Sequence, residues 1–240
     1  MSTKSRFTKE NLDSCLKELG KEFRRLNGTA IPAEVVLIGG AAILANYGFR
    51  DMTYDIDAVI MASSAMKDAV NHVGDRLGLP NGWLNMDFKQ TNSYSDRLAE
   101  VSIYYKTYSN VLTVRMVAAE YLVAMKLMSG RQYKNDLSDI VGILWEHEKR
   151  GNPISREAID RALGYLYVDR IELSAVSQKF IDDLFTNSDY EKVYREIRES
   201  ERQAKEVLLD FDQNNPKVVN EDNIDAIIEK AVRIKKRQGC

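Results

Sequence analysis

VVLIGGAAILANYGFRDMTYDIDAVI, residues 35–60, decides the reading of this chain. The apolar run Val35 to Ile38 predicts a buried strand, Gly39-Gly40 a turn, and Ala41 to Tyr47 a short apolar helix. A loop through Gly48, Arg50 and Thr53 leads to a second strand that carries Asp55 and Asp57. Side chains alternate across a strand, so the two carboxylates share one face while Ile56 points to the core. Two like charges side by side are costly unless a cation lies between them.

That pair narrows the chemistry. Hard oxygen ligands with neither Cys nor His beside them suit Mg²⁺ or Mn²⁺, and Mg²⁺ completes its shell with water and substrate phosphates. Glycines where a helix opens let bare backbone amides approach a phosphate at the positive end of the helix dipole. Arg50 and Thr53 add a guanidinium and a hydroxyl that meet phosphate oxygens well. The competing reading is a plain tight turn beside a solvated strand edge, because short motifs match by chance.

Upstream, Thr8 to Leu26 places Leu12, Cys15, Leu16, Leu19 and Phe23 at helical spacing, with Thr8 as N-cap and Gly28 and Pro32 as the stop. Downstream, Ser63 to Leu77 predicts a helix capped by Ser63 or Ser64 and stopped at Gly78 and Pro80. His72 within it has no second ligand at metal spacing and reads as structural. Trp83 to Asp96 is irregular, facing either substrate or solvent. Leu98 to Tyr105 and Val111 to Val117 predict a hairpin around a loop at Lys106 to Asn110.

Ala118 to Trp145 predicts one helix, with Lys126, Arg131, Lys134, Asp136 and Asp139 set among Leu122, Met125, Ile140, Ile143 and Leu144. Lys126 is a compact charge suited to a triphosphate, and Arg131 offers a planar fork for phosphate or carboxylate. Asp136 and Asp139, three apart, share a helical face, where they orient those cations or act as base. Ordinary ion pairs on a helix surface explain the same charges equally well.

An apolar strand, Gly-Gly, a helix, then Thr-x-Asp-Ile-Asp some 15 residues on resembles the signature of the nucleotidyltransferase superfamily, whose fold is that of DNA polymerase β. The later Lys-x4-Arg-x2-Lys-x-Asp-x2-Asp resembles the AbiEii-like toxin and DUF6036-like branch, so the likeness covers residues from about 30 to 145. It implies a mixed sheet flanked by helices, with Asp55 and Asp57 holding Mg²⁺ and Gly39 and Gly40 holding phosphates. It further implies a third carboxylate from a later strand, for which Glu100 and Asp87 are the candidates. Many superfamily members have Gly-Ser at the turn where this chain has Gly40 followed by Ala41. Antibiotic-modifying relatives follow Gly-Gly with Trp, which is absent here.

Beyond Gly151-Asn152-Pro153 the pattern turns helical, at Ser155 to Tyr167, Ser174 to Phe185, Asp189 to Leu209 and Glu221 to Arg237. The basic end from Lys230 to Arg237 is explained by the helix dipole ahead of any RNA-binding tail. We therefore expect a catalytic domain at 1–150 and a helical region at 151–240. A net charge of -2 argues against bulk electrostatic binding to nucleic acid. Two cysteines, Cys15 and Cys240, make no disulfide framework, and no apolar run reaches membrane-spanning length. A cytoplasmic protein without membrane partners is expected.

The α/β fold class and these residues lead to one functional expectation. Asp55 and Asp57 bind Mg²⁺ (or Mn²⁺), Gly39, Gly40, Arg50, Thr53 and Arg131 hold the phosphates of an NTP, Lys126 neutralises them, and Asp136 or Glu100 assists deprotonation. An acceptor hydroxyl attacks and pyrophosphate leaves. The resemblance implies a toxin or phage-defence enzyme acting on tRNA or protein, with a cognate antitoxin. The rivals are a small-molecule nucleotidyltransferase and an inactive nucleotide-binding module.

Overall fold

The computed structural model describes residues 6–131, 134–168, 173–186, 189–216, 218–219, 223–224, 226–228 and 230. Contacts group the chain into two compact units, Met1–Met125 with Ile154–Ile171, and Lys126–Pro153 with Glu172–Cys240.

The first unit is built on a five-stranded mixed sheet. Helix α1 (Lys9–Asn27) is capped by Thr8 as expected, with a reciprocal bond from Thr8 N to Asn11 Oδ1, and ends at Gly28 in a positive φ of 70°. Its apolar stripe, Leu12, Leu16, Leu19 and Phe23, is wholly buried. Gly20 lets α1 approach the sheet, since a Cβ there would sit 2.7 Å from Tyr108 Cβ. Strand β1 (Ala33–Leu37) leads to helix α2 (Gly39–Asn46), and strand β2 (Ile56–Met61) returns antiparallel to β1 with Leu37 opposite Ala58. Helix α3 (Ala65–Leu77) ends at Gly78 in the left-handed region. Neither serine hydroxyl caps it: Ser64 makes no capping bond, and Ser63 donates instead to Asn27 Oδ1. His72 on α3 meets Glu22 of α1 at 2.9 Å, in keeping with a structural role.

Strand β3 (Leu84–Asn85) lies parallel to β2, and the hairpin strands β4 (Ser102–Tyr108) and β5 (Leu112–Val117) complete the order β3-β2-β1-β5-β4. The hairpin differs from expectation. Lys106, Thr107 and Tyr108 pair with β5 and so belong to the strand, and the turn is Ser109-Asn110, both at positive φ. The strand consequently starts at Ser102, leaving Leu98 in a short 3-10 turn and Glu100 in the turn after it. Helix α4 (Ala119–Ser129) starts in this unit, to which helix α6 (Arg156–Leu166) also belongs, capped by Ser155.

In the second unit the helix expected from Ala118 to Trp145 is two helices. Gly130, at φ 56°, donates to Lys126 O and ends α4, and α5 (Asp136–Lys149) begins anew. Helices α7 (Ala175–Thr186) and α8 (Tyr190–Asn214) follow, α8 capped by Asp189 and packed on α5. Trp145 and Tyr194 stack with centroids 5.8 Å apart. Most of the expected helix at Glu221 to Arg237, and Cys240, lie outside the described residues. No helix among the described residues is long and apolar enough to cross a membrane.

Candidate functional site

At the carboxyl end of β1 the chain enters α2 through a glycine that has to be one: Gly39 stands at φ 52°. Ile38 takes the N-cap position and offers no side-chain acceptor, so the amides of the first turn are left without a capping group from that residue. The dipole of α2 adds positive potential at the same place.

Three side chains named from the sequence converge on this turn. A Cβ built on Gly40 would lie 2.7 Å from Thr53 Oγ1 and 2.8 Å from Arg50 Nη2, so only glycine leaves room for both. A Cβ on Gly39 would lie 3.7 Å from Asp57 Oδ2. Arg50 also donates from Nε to Met52 O, which folds the loop over the turn. Glycine backbone, Arg50, Thr53 and Asp57 thus come together at one turn, bringing a guanidinium, a hydroxyl and a carboxylate to the start of α2.

The strand places Asp57. Ile56 and Ala58 of β2 are fully buried, and Asp57 between them is half-buried on the other face. Asp57 O accepts from Ile38 N, which ties β2 to the turn. Asp55 is exposed and sits one residue ahead of β2, so it belongs to the loop and not to the strand that was expected to carry both. Among the described residues no three His, Cys, Asp or Glu side chains are grouped as a metal site. Asp57 beside the Gly39-Gly40 turn, with Asp55 two residues ahead of it, supplies hard oxygen atoms of the kind a divalent ion takes together with water and substrate.

The third-carboxylate candidates part company. Glu100 precedes β4, three strands from β2, roughly 14 Å of sheet away. It accepts a bond from Tyr165 OH at 2.5 Å, and Arg97 stacks on the same ring. The structure does not bring it to Asp57. Asp87 begins a 3-10 turn two residues after Asn85, which is the register partner of Asp57 across β2 and β3. Strands β4 and β5 carry no carboxylate, and Arg115 on β5 bonds to Ser102.

Lys126, Arg131, Asp136 and Asp139 do meet, within the second unit. The break at Gly130 folds the first turn of α5 back so that Lys126 Nζ lies 2.5 Å from Asp136 Oδ1 and 3.0 Å from Asp139 Oδ2. Arg131 Nε and Ser129 Oγ both donate to Asp136 Oδ2 at 2.9 Å. Asp136 is 1 % exposed. Burial presses its carboxyl upward, but Lys126 and Arg131 outweigh this and hold it well below the usual carboxylate range. So low a basicity makes Asp136 a poor proton acceptor, and of the two roles considered for it the geometry favours orienting the cations.

Two contributors were missed in the sequence. Phe7 exchanges both backbone bonds with Thr53, Phe7 N to Thr53 O at 2.7 Å and Thr53 N to Phe7 O at 2.9 Å. Its only signal was an apolar residue just ahead of the Thr8 cap. Glu201 of α8 is buried and accepts from Ser138 N and Oγ on α5. It had shown as one charge among many, although it lies four residues after Ile197 on the buried stripe.

Residues 14–145 match the family model described as "Nucleotidyltransferase of unknown function (DUF6036)". The match takes in both the Gly39-to-Asp57 site and the Lys126-to-Asp139 cluster. No curated protein and no solved structure matches the chain.

Proposed function

The chain belongs to this family of nucleotidyltransferases of unknown function, and from that premise we propose that it transfers an NMP from an NTP to a hydroxyl acceptor, with release of pyrophosphate. The observation that carries the reading is the convergence of Arg50 and Thr53 on Gly40 at the start of α2, with Asp57 facing Gly39. Backbone amides, a guanidinium and a hydroxyl suit the phosphates of the nucleotide. Asp55 and Asp57 would hold Mg²⁺ or Mn²⁺, which supplies charge neutralisation at the transferring phosphoryl group.

Each residue then has a task. Gly39 and Gly40 admit the phosphates to the backbone, while Arg50 and Thr53 fix their orientation. Lys126 and Arg131 are the proposed neutralising charges, held within the second unit by Asp136 and Asp139. Glu100, already an acceptor for the Tyr165 hydroxyl, is a proton acceptor for an incoming hydroxyl only if the acceptor bridges to it; Asp87 is nearer by topology.

For the acceptor the reading is tRNA or protein, with the chain a cytoplasmic toxin or defence enzyme held by an antitoxin; what speaks for it is the likeness of the Lys126-to-Asp139 motif to the AbiEii-like branch. The test is transfer of α-³²P label from each of the four NTPs, with Mg²⁺, onto bulk tRNA, total protein or the chain itself. Label that is lost in Asp55→Ala and Asp57→Ala supports the proposal and names nucleotide and acceptor class. Nucleotide binding with no transfer to any of them favours the inactive binding module or a small-molecule acceptor.

A further inference from the structure

The loop that brings Arg50 and Thr53 to Gly40 runs from Tyr47 after α2 to Asp55 before β2 and contains no helix or strand of its own. Something has to hold it against the turn. Within the first unit the restraint comes from the residue just ahead of α1. Phe7 and Thr53 exchange both backbone hydrogen bonds, an isolated antiparallel bridge that the sheet does not extend. This mutual exchange is the hydrogen-bonded pair of an antiparallel ladder.

Phe7 is itself anchored. Its ring is 1 % exposed and lies 6.2 Å, centroid to centroid, from Trp83, which is equally buried. Trp83 is fixed in turn by a bond from Nε1 to Val70 O on α3, and its own carbonyl accepts from Ile56 N at the start of β2. Gly74 of α3 makes room for the indole, since a Cβ there would lie 3.2 Å from Trp83 Cδ1. On the other side, Thr8 caps α1 directly after Phe7. A chain of rigid contacts therefore runs from α3 and α1 through Trp83 and Phe7 to the backbone of Thr53, whose hydroxyl lies against Gly40.

We propose that Phe7 is a positioning residue for the nucleotide site, acting through Thr53 to hold the Arg50–Asp55 loop against the Gly39-Gly40 turn. This rests on the proposed nucleotide reading for its functional consequence, but its structural content stands apart from it. A loop without its brace samples other conformations and loses the preorganisation that positions Arg50 and Thr53.

The experiment uses the full chain as Phe7→Ala, with Phe7→Leu as the conservative variant. Two readouts need no ligand: hydrogen exchange of the Thr53 amide, which Phe7 O accepts, and the amide resonance of Gly40 by NMR. Phe7→Ala is expected to speed Thr53 exchange by about tenfold or more while leaving the Ile38 amide, bonded to Asp57 O, unchanged. It is expected to move the Gly40 resonance in the direction that Thr53→Val moves it, and Phe7→Leu to restore both. Binding of each NTP should weaken about tenfold in Phe7→Ala. Unchanged Thr53 exchange and an unmoved Gly40 resonance would overturn the proposal, as would faster exchange with undiminished NTP binding. A wild-type chain that binds no NTP removes the nucleotide reading, while the Thr53 and Gly40 signals still decide whether Phe7 holds the loop.

Discussion

Thr53 and Gly40 are in such close approach that a methyl group on Gly40 would come within 2.7 Å of the Thr53 hydroxyl oxygen. Thr53 is buried and tied by its backbone to Phe7, so it has little freedom to retreat. Arg50, the other neighbour, can swing away, but only by leaving the turn. Gly40→Ala should therefore cost about 1–3 kcal/mol of stability from overpacking and displace both groups from the phosphate side. Gly48→Ala is the control, because nothing lies within 4 Å of its Cβ position. Thermal melts and NTP titration of the two variants check the point. Equal behaviour would mean that the approach of Thr53 to Gly40 has no bearing on the site.

The Gly39-to-Asp57 site was legible because its signals are local. Glycines at a strand-helix junction carry their geometry with them, the strand that follows places Asp57 although not Asp55, and Arg50 and Thr53 lie in the one loop between helix and strand. The break at Gly130 was not legible. Apolar spacing continues from Leu122 through Ile140 on both sides of it, and one glycine in the left-handed region leaves no trace in periodicity. The hairpin was misplaced by three to four residues because Ser109-Asn110 is a weaker turn signal than Asn-Gly, and Leu98 to Val101 has strand-like composition. Phe7 escaped because its partner is 46 positions away, and one backbone bridge has no compositional signature.

The left-handed glycine at 130 gives a second prediction. Gly130→Ala meets an unfavourable φ of 56° and also places its methyl 2.8 Å from Ser177 Oγ. A loss of about 1–3 kcal/mol is expected from the backbone conformation and the contact together. Ser177→Ala relieves the contact and leaves the φ penalty, so the double variant should recover part of the loss and not all of it. Urea unfolding of the two single variants and the double variant measures the division. Full recovery would place the whole cost in the contact.

The cluster on Lys126 makes a third. Lys126 holds two buried carboxylates, and its removal as Lys126→Met takes the ammonium from both Asp136, which keeps Arg131, and Asp139. Breaking a buried pair from one side costs about 3–5 kcal/mol. Asp136→Asn removes the carboxylate that Lys126 and Arg131 share. Because the Asp136 carboxyl is held below its ordinary range, its contribution is present above the usual aspartate pKa and is lost on acidification. Melts of Asp136→Asn and wild type should therefore converge as pH falls below about 4. Curves that stay parallel to acid would show that the ion pairs do not carry the difference.

Glu201 titrates in the opposite sense. Burial against α5 is the main cause that raises its carboxyl to about 7, with Asp139 adding to the rise and the two bonds from Ser138 together with Arg198 opposing it. Between the ordinary glutamate value of 4.5 and about 7, the folded chain keeps a proton on Glu201 that the unfolded chain has released. Folding is then favoured by protons, and the α5–α8 packing loses stability as pH rises through that window, levelling off above it. Glu201→Gln retains an oxygen to accept from Ser138 N and turns its amide toward Ser138 Oγ, with no charge to bury. The variant should match wild type near pH 4.5 and become the more stable of the two as pH approaches 7. Urea midpoints across this range decide it: a wild-type deficit that grows with pH supports a buried proton on Glu201, and a constant difference would mean that its carboxyl ionises in the folded chain as it does in the unfolded one.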